Sequence, residues 1–257
     1  EKFNSTSFGF LSAFDRDDVY LMLVLPPGTA GDWIAYAGVN TRLSVYNGDT
    51  WSRSVSAHVH ELGHNLGLAH SGDRRGEGES EYGDVSGMMG FSYSDDDAPQ
   101  MCFNAAKSWQ LGWYSDRHAE YLSGSGRRQY QLVGLSDYEA STANHVLVLK
   151  ITGVAKDYYL AYNRARGINR GTQGAADQVT VVERPPGGGY AQSWLVAQLS
   201  PGGSYPISGT EMVAEVADIG KDEPRVATVV VRLVSSSLTP SPPSPSPPSP
   251  SPPPPSP

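Results

Sequence analysis

Cysteine is nearly absent from this sequence, since Cys102 is the single one among its 257 residues. An internal disulfide needs two thiols, so no disulfide framework holds these residues together, and we expect Cys102 to be free and buried. Basic residues are also few, with 19 Lys and Arg against 27 Asp and Glu, which leaves a formal net charge of −8. This balance argues against nucleic-acid binding, which requires a basic surface.

Long apolar runs are missing as well. A membrane-spanning helix needs about 20 consecutive apolar residues, and the longest apolar stretch here, residues 19–25, is far shorter. This stretch reads VYLMLVL and is followed by two prolines and a glycine, which predicts a buried β-strand. We therefore expect no membrane span.

Proline, by contrast, is concentrated at the end of the sequence. Residues 240–257 contain 12 prolines and 6 serines. This composition cannot build a core and is typical of an extended polyproline II rod. We assign residues 236–257 as a Pro/Ser-rich tail that is disordered or in the polyproline II conformation.

One short motif carries most of the chemical information. Residues 60–70 read HELGHNLGLAH, the pattern H-E-x-x-H-x-x-G-x-x-H. On a helix, His60 and His64 lie one turn apart on the same face, so that two imidazoles can bind one metal ion. Gly67 can adopt a positive φ and end the helix, and the turn can then bring His70 round as a third ligand. Three protein ligands with one open position are typical of a catalytic zinc site.

Glu61 is the candidate general base, because a carboxylate beside the metal can take a proton from a water that the zinc activates. We expect a helix here that Ser52 or Ser54 caps and that Gly67 terminates. Its apolar stripe should face the core and comprises Val55, Val59, Leu62 and Leu66. His58 points away from the ligand face, so we do not expect it to bind the metal.

The extended motif resembles the metzincin clan of zinc endopeptidases. In that clan a methionine turn downstream forms a hydrophobic floor beneath the zinc ligands, and residues 84–90, DVSGMMG, match its position here. By this resemblance Met89 rather than Met88 is the turn methionine. Tyr93, four residues after Met89, is a candidate donor to the oxyanion of the reaction, on its proximity in the sequence alone.

Residues 101–113 narrow this resemblance. They read MCFNAAKSWQLGW, and together with the preceding turn they resemble the gametolysin family, peptidase M11, of green-alga cell-wall peptidases. The Pro/Ser tail is similar to the hydroxyproline-rich glycoprotein modules of volvocine algae. The resemblance covers about residues 20–235 and is strongest over residues 58–113. It implies one catalytic Zn²⁺ and protein or glycoprotein substrates of the extracellular matrix or cell wall.

The sequence before the tail divides into two regions. Residues 1–118 are predicted to form an α+β, metzincin-like catalytic domain, truncated or reduced at its N-terminus because only 59 residues precede His60. The resemblance implies that residues 43–46 of this domain are the edge strand that pairs with substrate. Asn104 is expected to cap a second helix. Residues 119–235 hold short β-branched or aromatic runs separated by turn residues, which predicts a small antiparallel β-sandwich-like domain.

The remaining histidines and the acidic residues carry weaker signals. His118 and His145 are isolated, so we interpret them as structural or exposed. Two acidic clusters flank the methionine turn, and they comprise Glu77, Glu79, Glu81 and Asp84 on one side and Asp95, Asp96 and Asp97 on the other. Neither cluster matches the EF-hand spacing, so solvated loop charge is the default interpretation, and a Ca²⁺ site stays open as the alternative.

These features predict a secreted zinc metalloendopeptidase that hydrolyses extracellular-matrix or cell-wall glycoproteins, with His60, His64 and His70 as zinc ligands. Asn4 begins an N-glycosylation sequon, N-S-T, which fits a secreted glycoprotein. Two alternatives stay open. One is a matrixin-type peptidase of another family, and the other is a non-catalytic cell-wall structural glycoprotein that carries a relic peptidase module.

Overall fold

The computed structural model describes four stretches of the chain, which are residues 19–48, 51–90, 101–122 and 125–234. Several predictions lie outside these stretches, namely those for Asn4, Tyr93, residues 95–97 and the tail of residues 236–257. Within the described stretches, no helix is both long enough and apolar enough to cross a membrane.

Three short strands precede the motif helix and form one sheet. They are β1 (Leu21–Val24), β2 (Ala35–Ala37) and β3 (Leu43–Tyr46), in the order β1-β3-β2. The prediction that residues 43–46 form the edge strand is wrong, because β3 pairs in parallel with β1 on one side and antiparallel with β2 on the other. The predicted strand at residues 19–25 is present as β1, but it is not fully buried, since Met22 and Val24 are 45% and 50% exposed.

The motif helix is α1 (Val55–Asn65). Ser54 is the N-cap residue, although its side chain makes no capping hydrogen bond, and Gly67 follows the helix with a φ of +83°. The apolar stripe does not face the core as predicted, since Val55 and Leu62 are 52% and 42% exposed. The buried face instead carries residues of the motif itself, namely His60, Glu61, Gly63 and His64.

Two larger sheets make up most of the remaining structure. The strands of the first are β4 (Ser71–Asp73), β5 (His118–Tyr121), β8 (Val148–Thr152), β9 (Asp157–Asn163), β10 (Gln178–Arg184) and β11 (Ser193–Leu199). Those of the second are β6 (Arg128–Val133), β7 (His145–Val146), β12 (Ser204–Pro206), β13 (Met212–Ile219) and β14 (Val226–Leu233). Their orders are β4-β11-β10-β9-β8-β5 and β12-β13-β14-β6-β7. Neighbouring strands are antiparallel except for β4 with β11, β5 with β8 and β6 with β7.

The main hydrophobic core lies between these two sheets. Leu160 and Val181 enter it from the six-stranded sheet, and Ala214 and Val229 enter it from the five-stranded sheet. Each of these four side chains is fully buried, as expected where apolar side chains alternate towards the inner face of a strand. Residues 119–235 are mostly β structure in two packed sheets, as predicted. The predicted antiparallel pairing is only partly right, because three strand pairs are parallel and one of the sheets includes β4 from the preceding region.

The second helix, α2 (Ala105–Leu111), is confirmed. The Asn104 side-chain oxygen caps it by accepting a hydrogen bond from the Lys107 backbone N–H at 3.0 Å. The helix packs on the outer face of the six-stranded sheet, where Ala105 and Ala106 join a buried cluster with Tyr159. These small side chains let the helix approach the sheet closely, so that α2 and the five-stranded sheet cover its two faces.

The six-stranded sheet also contains a strand that begins directly after the zinc motif. β4 starts at Ser71, one residue past His70, and pairs in parallel with β11. An ion pair of 2.9 Å between Arg74 and Glu183 adds a second connection between these parts of the chain. The domain boundary at residue 118 stays a prediction, and the regions on either side of it share one sheet.

A buried polar network joins four segments beneath the motif. The Asn104 side-chain nitrogen lies within hydrogen-bonding distance of Asp84 (2.8 Å), Ser71 (3.1 Å) and Ser193 (3.2 Å). All four residues are buried, so the hydrogen bonds are needed to offset the loss of hydration. Asn104 therefore connects β4, the methionine turn, α2 and β11.

We predict that Asn104→Ala destabilises the fold by about 2–4 kcal/mol, because it removes a helix cap and leaves buried acceptors without a donor. The measurement is the free energy of unfolding in denaturant. Asn144→Ala, at an exposed position, is the matched control and should have little effect. Equal stability of the two variants would show that the network does not hold these segments together.

Candidate metal centre

The structure brings the three predicted ligand histidines together. His60 and His64 lie on the buried face of α1 with ring centroids 4.9 Å apart. The chain then turns at Gly67, whose N–H donates to the His64 carbonyl at 2.9 Å, and this turn returns His70 to the same place. One possible ligand atom from each of the three rings lies within 4.8 Å of the others. No other group of this kind is found among the described residues.

Each of the three rings has its Nδ1 atom occupied by a hydrogen-bond acceptor. These acceptors are the Met88 carbonyl at 3.0 Å for His60, the Leu68 carbonyl at 2.8 Å for His64, and a Glu81 carboxylate oxygen at 2.6 Å for His70. Carbonyl and carboxylate oxygens only accept, so each ring must carry its proton on Nδ1. Nε2 is therefore the nitrogen through which each ring can bind a metal ion.

The spacing of two of the Nε2 atoms fits a metal ion between them. Those of His64 and His70 are 3.1 Å apart. With both protons on Nδ1, neither Nε2 atom is a donor, and two bare lone pairs repel each other at this distance. Tetrahedral ligands at a zinc–nitrogen distance of about 2.0–2.1 Å lie about 3.3 Å from one another, so an ion such as Zn²⁺ between the rings suits this geometry.

The surroundings keep the three imidazoles neutral. Burial lowers the pKa of His60 to about 3 and the pKa of His64 to about 4. Burial also lowers the pKa of His70, although the nearby Glu81 acts in the opposite direction. Because a metal competes with protons for imidazole nitrogen, rings that stay unprotonated near neutral pH are prepared for metal binding.

Glu61 lines the same cleft as these histidines. Its side chain is 4% exposed, and its Oε2 atom has no hydrogen-bond partner among the described residues. Burial raises the pKa of Glu61 to about 7. A buried carboxylate oxygen without a hydrogen-bond partner destabilises the fold unless a water or a substrate group donates a proton to it. A general base needs such an accessible acceptor, so Glu61 suits this role.

The methionine turn lies directly beneath α1. Met89 is fully buried, and a Cβ atom built on Gly63 would collide with the Met89 sulfur. The helix and the turn can therefore approach each other only because position 63 is glycine. The neighbouring Met88 contributes its carbonyl to His60, so the two adjacent methionines have different roles. Met89 packs beneath α1, and Met88 orients the His60 ring.

Sequence reasoning missed Glu81 and Tyr82. The prediction grouped Glu81 with the solvated acidic cluster, but its carboxylate orients His70. The Tyr82 ring centroid lies 4.1 Å from that of His70 and 6.3 Å from that of His60. Neither residue belongs to a motif with a defined spacing. The acidic composition of the segment was the only sequence feature that pointed to Glu81.

The first acidic cluster does not converge on one point. Glu79 forms an ion pair with Arg74 at 2.7 Å, Glu81 faces His70, and Asp84 is buried in the Asn104 network. In the described part of the chain, these carboxylates form no group that could hold a cation. The Ca²⁺ alternative therefore has no support at this cluster, and residues 95–97 lie outside the described stretches.

The cleft above the histidines has a volume of about 620 Å³. Tyr36 of β2 and the preceding Trp33 line one part of the cleft, and Tyr82 and Tyr190 line another part. Tyr190 comes from the loop between β10 and β11, far along the chain from the motif. The site is thus an open groove with the three histidines and Glu61 at its floor.

We predict that Glu81→Ala weakens metal binding about ten- to a hundredfold, because a residue that orients a ligand histidine contributes to affinity at that level. Glu81→Gln retains an acceptor for His70 and should lose less. Zinc affinity measured by competition with a chromogenic chelator checks this. Glu77→Ala removes an exposed carboxylate from the same segment and serves as control. Equal affinities of all three variants would contradict the role of Glu81.

Comparison with known proteins assigns the chain to a family. A family model described as gametolysin peptidase M11 matches residues 5–159, which include the histidine motif, the methionine turn and α2. No significant match is found among curated proteins or among solved structures. The family model covers more than half of the sequence and includes the whole candidate metal centre. The chain therefore belongs to the gametolysin family of metallopeptidases, peptidase M11.

Proposed function

We propose that this peptidase is a secreted, zinc-dependent endopeptidase that hydrolyses peptide bonds of extracellular-matrix or cell-wall glycoproteins. One observation carries the proposal: a possible ligand atom from each of three imidazoles lies within 4.8 Å of the others at the floor of an open cleft. Beside them is a buried carboxylate with an oxygen that has no hydrogen-bond partner among the described residues. A metal ion between the histidines and a water at the carboxylate satisfy all of these groups at once.

His60, His64 and His70 are the residues that hold the ion. When bound, zinc supplies Lewis acidity that polarises the scissile carbonyl and lowers the pKa of a water molecule. Glu61 takes a proton from the attacking water on its free Oε2 atom and later passes this proton to the leaving amine nitrogen. A pKa near neutrality suits both steps, since the same carboxylate must first accept and then donate.

The β2 strand is the element best suited to bind the substrate backbone. Among the described strands it pairs only with β3, and Ala35, Tyr36 and Ala37 all line the cleft. An extended peptide can add to such an edge through main-chain hydrogen bonds. We therefore assign to β2 the substrate pairing that was expected for residues 43–46.

The substrate class and the location are supported by sequence features and by the family. Protein substrates follow from membership of a peptidase family. The sequon at Asn4 and the Pro/Ser composition of residues 240–257 support a secreted glycoprotein that acts on a glycoprotein matrix.

The Pro/Ser tail also favours a second candidate, a non-catalytic cell-wall structural glycoprotein with a relic peptidase module. The Glu61 Oε2 atom argues against a relic, because it is buried and has no hydrogen-bond partner in the described residues. Such an oxygen destabilises the fold, so a structural role does not explain its presence. The alternative of a matrixin-type peptidase is not retained, because the chain belongs to the gametolysin family.

We predict that Glu61→Gln lowers kcat/KM on a peptide substrate by about 10²–10⁴-fold, because the amide keeps the shape of the carboxylate and loses its basicity. Zinc content and melting temperature should stay close to those of the unmodified chain, since Glu61 is not among the three ligands. Retained zinc with full activity would show that another residue is the base. Loss of zinc would show that Glu61 supports the metal site itself.

We predict that His64→Ala removes most of the bound zinc, because two histidines cannot hold a catalytic ion well. The measurement is metal analysis of the purified chain after dialysis. His145→Ala is the matched control, since His145 lies on β7 and hydrogen-bonds to the Thr142 backbone. Near-stoichiometric zinc in the His64 variant would contradict the ligand assignment.

A further inference from the structure

The loop between β10 and β11 reaches the metal centre from the β-rich part of the chain. It spans residues 185–192 and reads PPGGGYAQ. Its Tyr190 lines the same cleft as Glu61 and the three histidines. The family match ends at residue 159, so this part of the cleft lies outside the matched region.

Two hydrogen bonds fix the end of this loop beside the metal centre. The Lys107 ammonium on α2 donates to the Ala191 carbonyl at 2.9 Å. The Gln192 side chain donates to the backbone carbonyl of Glu81 at 2.8 Å. Because the Glu81 carboxylate orients His70, the second bond connects the loop to the segment that positions a metal ligand.

The loop residue directly before Tyr190 is held as well. Arg184, at the end of β10, donates to the Gly189 carbonyl at 2.8 Å and to the Gln110 side-chain oxygen at 3.0 Å. The side chains of Arg184 and Lys107 are 2% and 0% exposed, so water competes little for the hydrogen bonds they make. The loop is therefore fixed on both sides of Tyr190, at Gly189 and at Ala191.

Tyr190 itself is 51% exposed. A large ring that is half exposed, on a loop fixed at the edge of a cleft, is available to a ligand in that cleft. Tyr82, which also lines the cleft, lies against His70 at 4.1 Å between ring centroids. The two tyrosines therefore border the part of the cleft next to the metal centre.

We propose that Tyr190 determines specificity: its ring contacts a large apolar substrate side chain next to the cleaved bond. A peptide whose backbone pairs with β2 lies in the same cleft as this ring and can direct a side chain towards it. This inference rests on the proposed peptidase function and makes the β-rich part of the chain a contributor to the substrate site. In this proposal Tyr190 is a specificity residue, because it acts through its ring and not through its hydroxyl.

The test compares two peptides that differ only in one residue beside the cleaved bond, Leu in one and Ala in the other. In Tyr190→Ala, kcat/KM for the Leu peptide should fall about three- to tenfold relative to the Ala peptide, mainly through KM, because one aromatic contact is lost. Tyr190→Phe retains the ring and should stay within about twofold of the unmodified chain. Tyr20→Ala removes a similarly exposed tyrosine outside the cleft and should change neither peptide.

Three results would overturn the inference. An unchanged Leu-to-Ala ratio would show that the ring does not contact this side chain. An equal loss on both peptides would show that Tyr190 only supports the fold of the site. A fall in kcat for Tyr190→Phe would make the hydroxyl a catalytic group.

A second measurement separates this inference from the proposed function. If the unmodified chain hydrolyses neither peptide, the proposed function fails. Peptide binding then tests separately whether the Tyr190 ring contacts the Leu side chain. Binding of both peptides is titrated on the Glu61→Gln chain with and without Tyr190→Ala. A loss of affinity for the Leu peptide alone supports the contact, and equal affinities in the two backgrounds overturn it.

Discussion

The hydrogen bond at the Nδ1 atom of each of the three candidate ligand histidines is the constraint on which the rest of the structure depends. A ring binds metal through Nε2 only while its proton stays on Nδ1, and that proton needs an acceptor. The acceptors come from the turn after α1, from the methionine turn and from the segment between them, through Leu68, Met88 and Glu81. Three separate loops must therefore meet at one point, and much of the fold serves to hold them there.

The β-rich part of the chain supplies that support. β4 leaves the motif directly and is held by β11, while Ser193 at the start of β11 completes the buried network around Asn104. Gln192 holds the backbone of Glu81, and Lys107 holds the loop that carries Tyr190. The six-stranded sheet thus forms one side of the main core and also supports the metal centre, and the loop between its strands β10 and β11 lines the cleft.

The local features of the site could be predicted from the sequence, because they depend on short-range geometry. The helical spacing of His60 and His64, the turn at Gly67 and the cap at Asn104 each follow from rules that act within a few residues. The sequence did not reveal which side of α1 is buried. That side carries polar residues, and segments distant in the sequence cover it, so the apolar stripe did not mark it. Glu81 and Tyr190 escaped prediction for the same reason, because only tertiary contacts bring them to the histidines. The order β1-β3-β2, which makes β2 the strand at the cleft, depends on pairing that three short strands do not encode individually.

The most direct test of the central claim is X-ray absorption at the zinc edge on the chain loaded with one equivalent of zinc. The account predicts three imidazole nitrogens at about 2.0–2.1 Å, together with one or two oxygen ligands at a similar distance. The outer-shell scattering should be that of rings bound through Nε2, as the hydrogen bonds at Nδ1 require. A sulfur ligand at about 2.3 Å, or a shell of oxygen without imidazole scattering, would contradict the account.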